Sequence, residues 1–248
     1  MSSSVTGQEG QAPSKFVRPE GRVLIVDDES SVRRALHSAL FSLGFDIGEA
    51  SDGDEAIALC RITRYDVVLL DIKMPGKSGI QTCDELRRLM PRIAILMLSV
   101  YDDHERIVEA LDAGADDYVT KPFHMRELTA RIGAALRRVR ATSGESYKVI
   151  AIGDLSLDPE RRLVQQAGQA IHLTPKEFDL LHYLMLNAGK PIAHSRLLIA
   201  VWGPDYGGEL EYLRTFIRQL RKKLEDDPSQ PAYLMTEMWF GYRFQGEG

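Results

Sequence analysis

The 248-residue chain is poor in cysteine and tryptophan, two of each, and has no long apolar run. Cys60 and Cys83 cannot build a disulfide scaffold, and their scarcity fits a reducing cytoplasm. Its apolar runs are short, as in Val67-Val68-Leu69-Leu70, far below the roughly 20 residues that a membrane span needs. Residues 1–20 lack an apolar core behind a basic start, which argues against a secretory signal. Their Ser, Gly, Gln and Pro content reads as a disordered tail. Positive charge is also in short supply. With 31 basic and 36 acidic residues the net charge is -5, so any nucleic-acid binding must rest on a local basic cluster. His37, His104, His124, His182 and His194 show no metal-ligand spacing.

From Arg22 onward, short apolar runs alternate with helical patterns. The runs are Val23 to Val26, Phe45 to Ile47, Val67 to Leu70, Ile93 to Leu98 and Tyr118-Val119. One helical pattern carries Val32, Ala35, Leu36, Ala39, Leu40 and Leu43 on a single face, and the last carries Leu128, Ile132, Ala135, Leu136 and Val139. Strands buried on both faces and separated by helices predict an α/β doubly wound, five-stranded parallel sheet over residues 21–140. The small, polar stretch 141–147 predicts a linker, and 148–246 predicts a second domain of α+β type.

With strand order 2-1-3-4-5, the ends of strands 1, 3, 4 and 5 bring together Asp27, Asp28, Asp71, Ser99 and Lys121. Clustered carboxylates repel one another and attract a hard cation, for which Mg²⁺ is suited. A carboxylate can also act as a nucleophile and become an aspartyl phosphate. Lys121 and Ser99 then neutralise and hydrogen-bond phosphoryl oxygens. A strand-terminal Asp pair alone is usually a turn or a cap. Four such features at four strand ends are far more specific.

Residues 22–140 resemble a response-regulator receiver domain of the CheY-like fold. The resemblance rests on Val23-Leu24-Ile25-Val26-Asp27-Asp28-Glu29, on Val67 through Gly76, and on Gly114 through Phe123. It implies that Asp71 is the phosphoacceptor and that a sensor histidine kinase is the donor. It further implies that Asp28, Asp71 and the Lys73 carbonyl bind Mg²⁺, with Asp27 assisting through water. Ser99 and Tyr118 become the switch pair and Lys121 the phosphate-sensing cation. On the face of the fourth helix, fifth strand and fifth helix, it implies a homodimer interface using Asp116, Asp117, Glu127, Arg131 and Arg138. One departure weakens that ion-pair set: the basic residue that usually faces Glu127 is replaced by Ile107. Lys73 and Tyr101 stand where similar proteins tune the lifetime of the phosphoryl group.

In the second domain, Thr174-Pro175-Lys176-Glu177 opens a helix with a capping box and a proline at its first position. That helix runs to Asn187 and stops near Gly189, and a second spans about 194–202. In a third, near 210–225, Leu213, Ile217, Leu220 and Leu224 form the buried stripe. Arg214, Arg218, Arg221 and Lys222 gather on another face, which supplies the local basic cluster. A helix fits the major groove of double-stranded DNA, where arginine reaches phosphates or guanine edges. Two strands, Tyr233 to Thr236 and Gly241 to Phe244, complete a hairpin.

Residues 148–245 resemble the winged helix-turn-helix effector of the OmpR/PhoB family. The matching stretches are His172 to Phe178, Leu197 to Gly203, Leu213 to Leu224 and Gly241 to Phe244. The stretches 184–191, 201–204, 211–214 and Thr236-Glu237 carry a further likeness to regulators of potassium-uptake operons. The resemblance implies that Thr215, Arg218, Gln219 and Lys222 face the groove, with Arg214 and Arg221 nearby. Thr236 and Arg243 then meet the backbone from the wing, and the loop Gly203 to Glu209 meets RNA polymerase. The wing tip departs from the family's Arg-Gly with Met238-Trp239-Phe240. Because an exposed tryptophan is costly without a partner, Trp239 or Phe240 is expected to pack on its own domain. The alternative is an apolar contact with DNA or a second protomer.

Together these readings predict a cytoplasmic, phosphorylation-activated transcription regulator of a two-component system. It is not an enzyme beyond its own phosphorylation and dephosphorylation. A regulator indifferent to phosphorylation, an aspartyl-phosphate phosphatase and a protein-binding adaptor are the rival readings.

Overall fold

The computed structural model describes residues 21–100, 104–140, 148–203, 206 and 208–245. The expected tail, the expected linker and Tyr101 lie outside them, as does the side chain of Arg138.

The first domain alternates strand and helix throughout. Its elements are β1 (Arg22–Val26), α1 (Ser30–Ser42), β2 (Asp46–Ala50), α2 (Gly53–Ile62) and β3 (Val67–Asp71). They continue with α3 (Gly79–Leu89), β4 (Ala94–Ser99), α4 (His104–Asp112), β5 (Asp117–Thr120) and α5 (Met125–Arg140). The five strands form one sheet in the order β2-β1-β3-β4-β5, and every pairing is parallel. Parallel strands need covered crossovers, so both faces are buried. Val23, Ile25, Leu69 and Leu96 pack with Leu36 and Leu40 of α1 and Leu128 and Ile132 of α5. Leu24, Val26, Leu70 and Met97 pack with α2, α3 and α4.

The second domain begins with an antiparallel sheet of β6 (Ile150–Ile152), β7 (Leu155–Asp158), β8 (Leu163–Gln166) and β9 (Gln169–Ile171). The β8–β9 turn uses Ala167 and Gly168, both at positive φ, the geometry of a tight two-residue hairpin. Then come α6 (Pro175–Leu186), β10 (Ile192–Ala193), α7 (His194–Trp202), α8 (Leu210–Leu224), β11 (Leu234–Glu237) and β12 (Gly241–Phe244). The capping box of α6 forms as expected: Thr174 accepts from the Glu177 amide, and the Glu177 carboxylate accepts from the Thr174 amide. Leu213, Ile217, Leu220 and Leu224 form the buried stripe of α8.

Two polar contacts fix the wing hairpin, β11–β12, to α8. Arg221 donates to the Leu234 carbonyl and to the Thr236 hydroxyl at 2.8 Å. The Glu225 carboxylate, at the end of α8, accepts the amides of Ala232, Tyr233 and Leu234. Gly241 lies so close to the Ile192 carbonyl that a Cβ there would sit 1.8 Å from its oxygen, so no side chain fits where β12 crosses β10.

The apolar layer beneath α4 continues without a break into the core of the second domain. Helix α4 packs directly on α8, so the two domains meet through the helix expected to read DNA.

Candidate functional site

The carboxyl ends of β1, β3 and β5 converge on one acidic pocket. Asp27 and Asp71 are both buried, and the Lys121 ammonium bridges them at 2.7 and 2.5 Å. The second oxygen of Asp71 accepts the Lys73 amide at 2.7 Å, and Asp27 accepts the Glu29 amide at 2.9 Å. Arg33 reaches the Asp27 carbonyl at 2.7 Å. Gly79 leaves room for this geometry, since a Cβ there would lie 2.0 Å from the Asp71 carbonyl oxygen. Burial holds the Asp71 carboxyl above its ordinary range; Lys121 pulls it back down, and the charge of Asp27 raises it. For Lys121 burial acts downward, but the hydrogen bonds and charges of Asp27 and Asp71 outweigh it and raise the ammonium.

Asp28 stands exposed at the pocket mouth, and among the described residues no three carboxylate, histidine or cysteine groups converge on one point. That arrangement still fits Mg²⁺. The ion keeps several waters and needs only one or two carboxylates plus a phosphate. The pocket offers hard oxygens, and its buried carboxylates already draw a cation between them. Ser99 and Tyr118, expected as the switch pair, are both buried on adjacent strands, two register positions apart.

The face expected to pair two receivers is occupied by the second domain of the same chain. Asp116 points inward, where Arg87 and the Ile95 amide each hold it at 2.8 Å. It therefore serves as an internal strut and not as a surface charge. Asp117 is buried between Arg131, at 3.1 Å, and the hydroxyl of Tyr206. Burial raises the Asp117 carboxyl, against the charge of Arg131, which lowers it. Arg131 also pairs with Glu127 at 2.8 Å and lies 4.5 Å from the centre of the Tyr206 ring, to whose hydroxyl it donates. Two further bonds cross the same boundary. The Trp202 indole donates to the Asp116 carbonyl, and the Tyr212 hydroxyl donates to the carbonyl of Tyr118. Tyr206 belongs to the stretch expected to touch polymerase, and here its side chain is held against β5 and α5.

Three of the four groove-facing residues of α8 are engaged in the same way. One guanidinium nitrogen of Arg218 donates to both carboxylate oxygens of Asp112 at the end of α4, with bonds of 2.8 and 2.9 Å. Gln219 donates to the Leu111 carbonyl and to Asp112, and Thr215 is buried. Lys222 and Arg214 remain on the surface, Arg214 pairing with Glu211. Arg221 and Thr236 bond to each other, which makes Arg221 a brace for the wing as well as a nearby charge. Arg243 pairs with Glu237 across the hairpin at 2.6 Å. Because α8 lies on α4, this arrangement cannot place α8 in a groove.

The expectation that Trp239 or Phe240 packs on its own domain is overturned for Trp239, whereas Phe240 is half covered. Trp239 is 97% exposed, Met238 77% and Phe240 50%. The hairpin carries its tip beyond the core, where no surface of the domain remains to cover it.

Sequence reasoning missed Tyr206, Tyr212, Trp202, Asp112 and Arg87. Each acts through a partner far away in sequence, and none belongs to a spacing pattern. Only the aromatic content of the segment 202–212, high for a Gly-rich connector, hinted that it packs against something.

Comparison with known proteins agrees with this geometry. A family model described as the response regulator receiver domain matches residues 23–133. A second, described as transcriptional regulatory protein, C terminal, matches residues 168–244. The transcriptional regulatory proteins KdpE of Mycobacterium tuberculosis strains CDC 1551 and H37Rv are each 43% identical over 223 residues, 90% of this chain and 98% of theirs. Structures of two RitR mutants align with TM-scores of 0.73 and 0.75 at 27% identity, covering 92% of this chain and all of theirs. The chain belongs to the OmpR/PhoB family of response regulators, transcription regulators whose action on DNA depends on phosphorylation.

Proposed function

We propose that Asp71 accepts the phosphoryl group and that its acceptance releases α8 for DNA. The observation that carries this reading is the shared Lys121. It joins Asp71 to Asp27 at the end of β5, four residues from the Asp117 that anchors the second domain. The donor is the phosphohistidine of a sensor histidine kinase. An Asp71 oxygen attacks phosphorus, the P–N bond breaks, and its electron pair stays with the imidazole, which takes up a proton. Asp28, Asp71 and the Lys73 carbonyl would hold Mg²⁺, with Asp27 assisting through water. When bound, the ion neutralises phosphoryl oxygens.

Phosphorylation adds about -1.5 to -2 charge at the pocket. Lys121 follows that charge and loosens its hold on Asp27. Ser99 hydrogen-bonds a phosphoryl oxygen, and Tyr118 repacks behind it. Tyr118 carries the carbonyl that Tyr212 binds, so repacking β5 weakens the grip on the second domain. The freed face of α4, β5 and α5 then pairs with a second receiver through Asp117, Glu127, Arg131 and Arg138. Two winged helices reach DNA half-sites about one helical turn apart, each raising the effective concentration of the other. The loop Gly203 to Glu209, once free, is available to RNA polymerase. The likeness to KdpE regulators points to a potassium-transport operon as the target.

Arg218 is the test residue for the DNA face. With beryllofluoride and Mg²⁺ as the phosphoryl mimic, Arg218→Ala is expected to bind a selected duplex roughly tenfold more weakly, with a salt slope lower by about 1. Unchanged affinity and slope, measured by fluorescence anisotropy, would remove α8 as the reader.

A further inference from the structure

The wing tip carries the most exposed large apolar side chain among the described residues. Two independent costs are concentrated in Trp239. Its indole is almost wholly exposed. Its backbone also sits at φ 63°, a left-handed conformation that costs a side-chain-bearing residue about 1 kcal/mol or more. A glycine would avoid both. Such costs persist where a partner is met, and the surroundings say which kind.

The tip is rigidly placed. The Phe240 amide closes the turn on the Glu237 carbonyl, and the Phe240 carbonyl accepts the His194 amide at the start of α7. His194 stacks edge-on against Tyr242 at 5.4 Å, and burial, with the nearby charge of Arg214 adding to it, depresses the protonation of His194. Arg221 pins the other strand to α8. The apolar trio is thus mounted at a fixed offset from α8, with Arg214, paired with Glu211, and Arg243, paired with Glu237, at its base. Strands of four residues extend about 13 Å at roughly 3.3 Å per residue. With α8 in a major groove, that reach carries the tip across the adjacent phosphate backbone. The minor groove beyond is about 6 Å wide and admits a flat ring edge-on, and the arginines meet the phosphates that flank it.

We propose that Trp239, supported by Met238 and Phe240, is an apolar wedge that enters the minor groove of duplex DNA beside the site read by α8. This rests on the DNA-binding reading above and extends it to the chemistry of the second contact. The contact is carried by ring stacking against sugars and bases and not by charge. It favours flexible pyrimidine–purine steps, which open at least cost.

Full-length protein with beryllofluoride and Mg²⁺ is titrated with a mixed-sequence 30-bp duplex at low salt, alongside W239A, W239F and R218A. Trp202 lies on the boundary that the mimic opens, so the quenching of W239A, which keeps Trp202 alone, is subtracted and the difference reads Trp239. The inference predicts that duplex shields Trp239 from acrylamide, and that W239A loses roughly tenfold in affinity with an unchanged salt slope. W239F keeps most of the affinity. Since Trp239 buries nothing in its own domain, its removal leaves the fold intact. If the wild type and W239A bind equally and Trp239 stays fully quenchable while R218A binds weakly, the wedge is refuted and DNA reading by α8 stands. If W239A alters the mass of the dimer and not the duplex affinity, a second protomer is the occupant and the wedge is refuted. If the wild type does not bind duplex at all, the DNA reading falls and the wedge with it.

Discussion

Replacing Tyr206 with alanine should raise the affinity of the unphosphorylated protein for duplex DNA by roughly tenfold, well within the range of ordinary allosteric coupling. The residue is only 3% exposed, with its ring over the Arg131 guanidinium and its hydroxyl on a buried carboxylate. Burying such a ring contributes about 1.5–3 kcal/mol, and a hydrogen bond to a charged group about as much again. Relaxation of the site and the loop's entropy offset part of that sum. Nearly the whole cost of the substitution falls on the closed arrangement and almost none on the open one, because in the open form Tyr206 is in water. Asp112→Ala makes the instructive comparison. Its pair with Arg218 engages both carboxylate oxygens, but both side chains are more than 40% exposed. Such pairs contribute about 0–1 kcal/mol, so Asp112→Ala should tighten binding about fivefold at most. The opposite ranking, with Asp112→Ala strong and Tyr206→Ala silent, would show that the domains are held by charge and not by the buried aromatic seam.

Asp71→Ala is expected to abolish phosphoryl incorporation from a phosphohistidine donor. Persistent Mg²⁺-dependent labelling of that variant would refute the assignment. Loss of labelling will not reflect unfolding. Burial, aided by the charge of Asp27, holds the Asp71 carboxyl above its ordinary range. A group raised in the folded state favours folding only at pH below its unfolded value, and that contribution disappears as pH rises through the folded value. At neutral pH the ionised Asp71 is therefore held at a cost. Its removal leaves Lys121 paired with Asp27, so the thermal midpoint of the variant should equal or exceed that of the wild type.

The two halves of the site differ in how far they could be read from sequence. The acidic pocket was legible because strand ends are legible. A buried parallel strand is a short apolar run, and the polar residue that ends it can face the site, as Asp27 and Asp71 do. The α8 stripe and the α6 cap were legible for the same reason: period and capping are local properties. The seam between the domains has no such signature. Asp112 reads as an ordinary helix-terminal acid, and Tyr206 as one residue of a Gly-rich connector. Asp116, with the sequence appearance of a surface charge beside Asp117, is drawn inward by Arg87 from the end of α3, a pairing 29 residues apart. Trp239 departs from expectation because tryptophan's preference for burial describes an average. A hairpin tip at positive φ, projecting past its own domain, leaves the ring nowhere to go.

The central claim is that the phosphoryl group at Asp71 and the hold on α8 exclude one another. Its most direct test is the affinity of the wild-type chain for a duplex selected from a random library, measured with and without beryllofluoride and Mg²⁺. The account predicts binding at least roughly tenfold tighter with the mimic, and no such gain in Asp71→Ala. Equal affinity in both conditions would mean that α8 leaves α4 without help from the pocket, and would contradict it.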